Sequence, residues 1–333
     1  MRYILNLSAF IILSTLFSCQ GPADEPDDEQ GDSGTKTKTV LPNNFNADSA
    51  YLYIEKQVSF GPRVPNTEAH RKCAFWLENM LKKWCDTIYV QSFDAKSYKG
   101  EIWKAKNLIG VFNPENRDRI LLCAHWDTRP MADQDLKDKT TPADGANDGG
   151  SGVGVLLEIA RQIHSKKPEL GIDIIFFDVE DGGSNSDDVK DSWCLGSQYW
   201  AKNPHIPDYR ARNGILLDMV GAKNATFARE EMSIQFDNNL LATVWQTGAS
   251  LGYGNYFINY NKSGITDDHV YISYHRNVPT IDIIDYNSKT TSGFGTYWHT
   301  HDDNMSVIDK QTLNAVGRTV LQTVLNREAN VLY

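Results

Sequence analysis

Short apolar runs separated by polar, glycine-containing turns dominate the chain from residue 87 onward. The runs TIYVQSF (87–93), NLIGVF (107–112) and ILLCAH (120–125) predict three strands in succession. Strand and helix then alternate. Residues 151–164 read as a mostly buried helix, while IDIIFFD (172–178), GILLDM (214–219) and VPTIDII (278–284) read as further strands. Upstream, Ala69, Cys73, Trp76, Leu77, Met80, Leu81 and Trp84 keep helical spacing, with Asn66 as the expected cap. Leu313, Val316, Val320, Leu321 and Val324 predict a closing amphipathic helix capped by Asp309. The central runs are continuously apolar rather than alternating, so their strands must be covered on both faces. The expected fold is α/β, a central and mostly parallel mixed β-sheet flanked by helices on both faces.

The N-terminus has a different pattern. MRYILNLSAFIILSTLFSC joins an early Arg2 to an apolar run too short to span a bilayer comfortably. It resembles a bacterial lipoprotein signal whose cleavage leaves Cys19 as the lipidated terminus; an ordinary export signal is the alternative. Residues 1–18 are therefore expected to be a signal peptide. Residues 19–39 are nearly devoid of apolar side chains and cannot offset their ordering entropy, which predicts a flexible acidic tether. Residues 40–333 are expected to form one catalytic domain, exported, lipid-anchored in the cell envelope and facing the periplasm.

A net charge of −10 without a Lys/Arg cluster argues against nucleic acid or an anionic membrane surface as partner, and leaves a peptide or small molecule. A monomer is expected, touching membrane only through its anchor. Beyond Cys19, Cys73, Cys85, Cys123 and Cys194 match no zinc-finger or CxxC spacing. Cys73 and Cys85, roughly 18 Å apart along one helix, cannot pair with each other. Mostly buried thiols are expected, with one bridge, such as Cys123 to Cys194, left open.

Ligands of open α/β sheets bind beyond the carboxyl ends of the strands. His125 and Asp127 follow ILLCA, Glu180 and Asp181 follow FFDV, Asp218 follows GILL, and Asp282 lies in VPTIDII. The loop DGANDGGSG contributes Asp148, and TYWHTHDDN contributes His299. Taken singly, each has a plain structural explanation as a turn former, a helix cap or a hydrogen-bonded histidine. The glycine-rich loop lacks the GK[ST] ending of a phosphate cradle. Together they supply nitrogen and oxygen donors of the kind that hold zinc, and so many acids at one edge need a cation to coexist.

The series AHWD, GANDGGSGV, FFDVED, LLDMVGA and YWHTHDDN resembles the zinc aminopeptidase-like family M28, and within it the glutaminyl cyclases, through FGPR, ITDDH and a Trp before the final His. The resemblance implies zinc held by Asp148, Asp181 and His299, with Glu180 as general acid/base. It implies Asp218 and Asp267 as a hydrogen-bonded network of catalytic acids, and Trp298, assisted by Trp193, as the substrate wall. The implied reaction cyclises N-terminal glutaminyl residues of peptides and proteins to pyroglutamyl, releasing ammonia. Two departures stand out. The family pair is commonly Glu-Glu, here Glu180-Asp181, and Asp282 stands where animal glutaminyl cyclases carry His. The rival reading is a two-zinc aminopeptidase in which His125 and Asp218 hold a second metal bridged by Asp148. A non-enzymatic lipoprotein binding module is a third.

Overall fold

The computed structural model describes residues 39–186 and 188–330; the segment expected to be a signal peptide, Cys19 and almost all of the expected tether lie outside the described residues. The elements run α1 (Ala47–Val58), α2 (Glu68–Trp84), β1 (Thr87–Lys96), β2 (Ile102–Phe112), β3 (Arg119–His125), α3 (Gly150–Lys166), β4 (Gly171–Phe177), α4 (Leu195–Lys202), β5 (Asn213–Asp218), β6 (Phe227–Glu230), α5 (Glu231–Ser250), β7 (Phe257–Lys262), α6 (Asp268–Tyr271), β8 (Thr280–Ile284) and α7 (Lys310–Glu328). Six strands form one sheet in the order β1-β2-β4-β3-β5-β8. The inner neighbours β4-β3, β3-β5 and β5-β8 are parallel, whereas β1 and β2 join antiparallel at one side. β6 and β7 make a separate parallel pair.

The continuous apolar runs have the physical consequence expected of them. In β3, Ile120, Leu122 and Ala124 belong to the core beneath α1, α2, α3 and α7, while Leu121 and Cys123 belong to the opposite core with Trp200, Tyr209 and Ile272. Ile174 and Phe176 divide from Ile175 and Phe177 in the same way in β4. Alternate side chains thus feed two cores, so no position can be polar without cost. The expected closing helix is α7, capped by the Asp309 carboxylate, which accepts from Thr312 N. The second helix differs at its start. Thr67, not Asn66, caps α2 by accepting from His70 N. Asn66 takes a left-handed φ of 69° and spends its side chain on β2, donating to Ile102 O and accepting from Lys104 N. All four described cysteines are free thiols, so the open question of a Cys123–Cys194 bridge resolves against one.

One buried ion pair fastens the strand starts, at the end of the sheet opposite the strand carboxyl ends. Arg119 on β3 forks onto Asp173 on β4, Nε to Oδ2 at 2.7 Å and Nη2 to Oδ1 at 3.0 Å, and the Tyr209 hydroxyl donates to the same carboxylate at 2.8 Å. Both charges are buried. Arg119→Met should lower unfolding stability by about 3–5 kcal/mol because Asp173 is left uncompensated; urea unfolding measures it. A loss below about 1 kcal/mol would show that the pair is dispensable.

Candidate active site

β3 connects to β4 on one side and β5 leads to β8 on the other, so the sheet changes direction between β3 and β5. Such a switch point opens a crevice beyond the strand ends. His125 is the last residue of β3 and Asp218 the last of β5, so the two flank that crevice. Asp178, Glu180 and Asp181 follow β4 directly. Asp178 turns inward. Its carboxylate accepts from Lys106 N and Val179 N and meets His70 Nε2 at 2.9 Å, tying β4 to β2 and α2. The next residue, Val179, has φ 54°, a conformation costly for a β-branched side chain, and this bend turns the acid pair toward the crevice.

The pair is held by its backbone. Asp127 accepts from Glu180 N at 3.0 Å and from Asp181 N at 3.3 Å. Asp148 is fixed in the same manner: Asp303 accepts from Asn147 N at 2.7 Å and from Asp148 N at 3.1 Å. Gly149 follows with φ 83°, where an added Cβ would sit 2.5 Å from Asp127 O, so only glycine fits. Beneath the loop, the buried Arg63 donates to Trp126 O at 3.2 Å, to Gly145 O at 2.6 Å and to Asp144 O. Three carbonyls of two segments are therefore locked by the Arg of FGPR. Asp127, counted from sequence among the candidate zinc donors, lies outside both sets that share Asp148 and anchors backbone instead; this anchoring role, like those of Asp303 and Arg63, follows from loop geometry rather than residue spacing.

Two donor sets share Asp148. His299 Nε2 lies 3.1 Å from Asp181 Oδ1 and 3.7 Å from Asp148 Oδ2, and the three side chains can converge on one ion. His125 Nε2 lies 3.0 Å from Asp148 Oδ1 and 3.1 Å from Asp218 Oδ1, forming the second set. Asp282 belongs to neither. It is fully buried and grouped with Asp267 and His269, with no hydrogen-bond partner for its carboxylate oxygens.

The electrostatics are those of acids and imidazoles crowded into a buried edge. Burial depresses the basicity of His299, yet the carboxylates of Asp181, Asp133 and Asp148 more than reverse this and raise its pKa to about 9. His125 is raised well above its usual range by Asp127, Asp148 and Asp218 against the same burial cost. Burial, reinforced by Asp148 and Asp267, pushes Asp218 up to about 7, while burial and the charges of Asp267, Asp181 and Asp268 lift Glu180 well above the carboxylate range. Protons thus gather where positive charge is wanted. One imidazole nitrogen with two carboxylates, all buried and open to a pocket on one side, is a donor set suited to catalytic zinc. Asp133 Oδ1, 3.2 Å from His299 Nδ1, supplies the outer support such a ligand requires.

The pocket beyond encloses about 570 Å³ and is lined by Asp148, Glu180, Asp181, Asp218, Asp267 and His299 together with Trp193 and Trp298. Trp298 stacks on His299 with centroids 3.7 Å apart, and Phe294 packs behind it at 5.0 Å. Trp193 faces the other side of the pocket, 6.1 Å from His299, under the Arg129 guanidinium at 4.7 Å. Cys194 also belongs here. Its buried Sγ donates to Glu180 Oε1 at 3.2 Å, a contact invisible in the sequence because Cys194 reads only as an apolar position before α4.

The profile of peptidase family M28 matches residues 107–324, a span that contains every residue of both donor sets. The chain belongs to peptidase family M28. Family membership implies a zinc-dependent enzyme, and the donors just described fit that ion. The chain is 54% identical to the solved glutaminyl cyclase of Tannerella forsythia, with a TM-score of 0.83 over 85% of this chain and 99% of that one. It is 53% identical to a solved Zn-dependent exopeptidase from Parabacteroides distasonis, with a TM-score of 0.85 over 87% of this chain and 100% of that one. Among curated relatives, the glutaminyl-peptide cyclotransferase of Boiga irregularis is 28% identical over 248 residues, 66% of this chain and 64% of the relative. The chain thus spans somewhat under two thirds of that relative's length. Among the described residues no helix is long and apolar enough to cross a membrane.

Proposed function

We propose that this protein is a glutaminyl-peptide cyclotransferase, exported and held at the membrane by lipid on Cys19, that converts N-terminal glutaminyl residues to pyroglutamyl and releases ammonia. The observation that carries the reading is the aromatic wall: Trp298 and Trp193 both stack against the His299 ring and line the pocket beside the donor set, where they can pack on a small first residue. Likeness to the Tannerella forsythia glutaminyl cyclase supports it.

Asp148, Asp181 and His299 would hold one zinc ion. Bound there, zinc supplies a Lewis acid for the substrate's γ-carbonyl oxygen. The remaining chemistry belongs to side chains. The tryptophans fold the glutaminyl residue so that its α-amine reaches its own γ-carbon, and they exclude water that would hydrolyse the amide. Glu180 accepts a proton from the attacking amine as the new C–N bond forms. It returns that proton to the departing nitrogen as the old C–N bond breaks, so ammonia leaves and the charge balances. A carboxyl whose pKa is raised by burial and by Asp267 is a better proton donor in the second half than an exposed one. Asp218 and Asp267 line the same pocket, and the charge of Asp267 is one of those that favour the protonated form of Glu180.

The set His125, Asp148 and Asp218 favours a second reading, a two-zinc aminopeptidase. In the cyclase, His125 instead stays as the hydrogen-bonding partner of Asp148 and Asp218. Metal analysis of the purified protein separates them. One zinc per chain together with ammonia release from a Gln-initiated peptide is expected; two zincs with release of free glutamine would establish the peptidase.

A further inference from the structure

The catalytic pocket does not end at its aromatic wall. A second pocket of about 360 Å³ adjoins it and shares Ile265, Thr291, Ser292 and Phe294 as common lining. Two segments contribute lining to both. β7 ends at Lys262, and residues 263–266 then lead to Asp267 of the catalytic network. The other wall, from Tyr286 to Phe294, leads to Trp298 and His299. A peptide whose first residue fills the catalytic pocket therefore has a continuous path into the second.

Lys262 is the cation of that second pocket. Its ammonium sits 4.7 Å from the Tyr286 ring centroid and 5.3 Å from that of Phe294, and Tyr260 stacks on Tyr286 at 5.7 Å. Among the described residues no carboxylate forms an ion pair with it. The acids whose fields reach it, Asp282, Glu230 and Asp285, are themselves buried in the fold. A half-buried ammonium that lies over two ring faces and lines a pocket, with no carboxylate in direct ion-pair contact among the described residues, can receive one from a ligand.

Building on the cyclase reading, we propose that the pocket around Lys262 is a subsite for a substrate carboxylate downstream of the N-terminal glutamine. That carboxylate is either an acidic side chain at the second or third position or the C-terminal group of a short peptide. The chemistry is the same, and the substrate set distinguishes the sources.

The test compares kcat/KM of the zinc-loaded protein for four peptides: Gln-Glu-Ala-amide, Gln-Ala-Glu-amide, Gln-Ala-Ala free acid and the neutral Gln-Ala-Ala-amide. At least one carboxylate-bearing peptide should exceed the neutral one about five-fold, mainly through KM, and the ratio should shrink as salt is raised. The favoured arm identifies the source. Lys262→Met should bring the ratio close to one, while Lys262→Arg should retain it. Equal values for all four peptides, or a preference that survives in Lys262→Met, would overturn the subsite alone. Absence of ammonia from every peptide would overturn the cyclase reading together with it.

Discussion

Glu180→Gln should retain its fold and zinc yet lose about a thousand-fold or more in kcat on a Gln-initiated peptide, within the range by which positioned acid/base groups accelerate reactions. Gln keeps the shape of the side chain and can still meet Cys194 Sγ, but it cannot take a proton from the amine and deliver it to ammonia. The substitution also removes an acid that burial and neighbouring charges penalise, so thermal stability should hold or rise. KM should change little, because substrate folding rests on Trp193 and Trp298. Steady-state kinetics with parallel metal analysis check this. Turnover within ten-fold of wild type would remove Glu180 from its role.

Asp181→Ala should weaken zinc binding by more than the roughly 10- to 100-fold that loss of an outer hydrogen bond to a metal ligand costs, since here a ligand itself is removed. The expectation is specific to the short acid. Asp181 Oδ1 reaches within 3.1 Å of His299 Nε2, so the missing methylene relative to the common glutamate does not leave the carboxylate out of range. The backbone makes up the difference: Val179 bends the chain at φ 54°, and Asp127 holds the N–H groups of both acids. Asp218→Ala is the contrasting variant. It should leave zinc content at one per chain if Asp148, Asp181 and His299 are the full ligand set, and would halve it in a two-zinc enzyme. Equilibrium dialysis against a chelator measures both.

How much of this could be read from sequence depended on the kind of interaction. Strands β3, β4 and β5 were legible because burial on both faces forces an unbroken apolar run, and their terminal acids stood out against it. That acids and histidines would gather at one edge was legible because strand ends and loops of an α/β sheet meet there, whereas the choice of Asp148, Asp181 and His299 among them came from the family resemblance. What escaped were interactions made through backbone groups. Thr67 displaced Asn66 as the α2 cap because Asn66 was recruited by β2, a partner 36 residues away for its donor bond. Arg63, Asp127 and Asp303 hold carbonyls or N–H groups of distant loops, a role that no side-chain pattern encodes. The Cys194 thiol against Glu180 also escaped, although both groups are side chains, since the contact depends on the left-handed backbone of Cys194 itself at the start of α4. Asp282, which VPTIDII put near the chemistry, is buried and grouped with Asp267 and His269, outside the two donor sets that share Asp148.

The most direct test of the central claim is mass spectrometry of a single Gln-initiated peptide after incubation with the zinc-loaded protein. The account predicts a product lighter by one ammonia, its N-terminus blocked and every residue retained, with no such product from Glu180→Gln. A product shortened by its first residue, with free glutamine in solution, would contradict it.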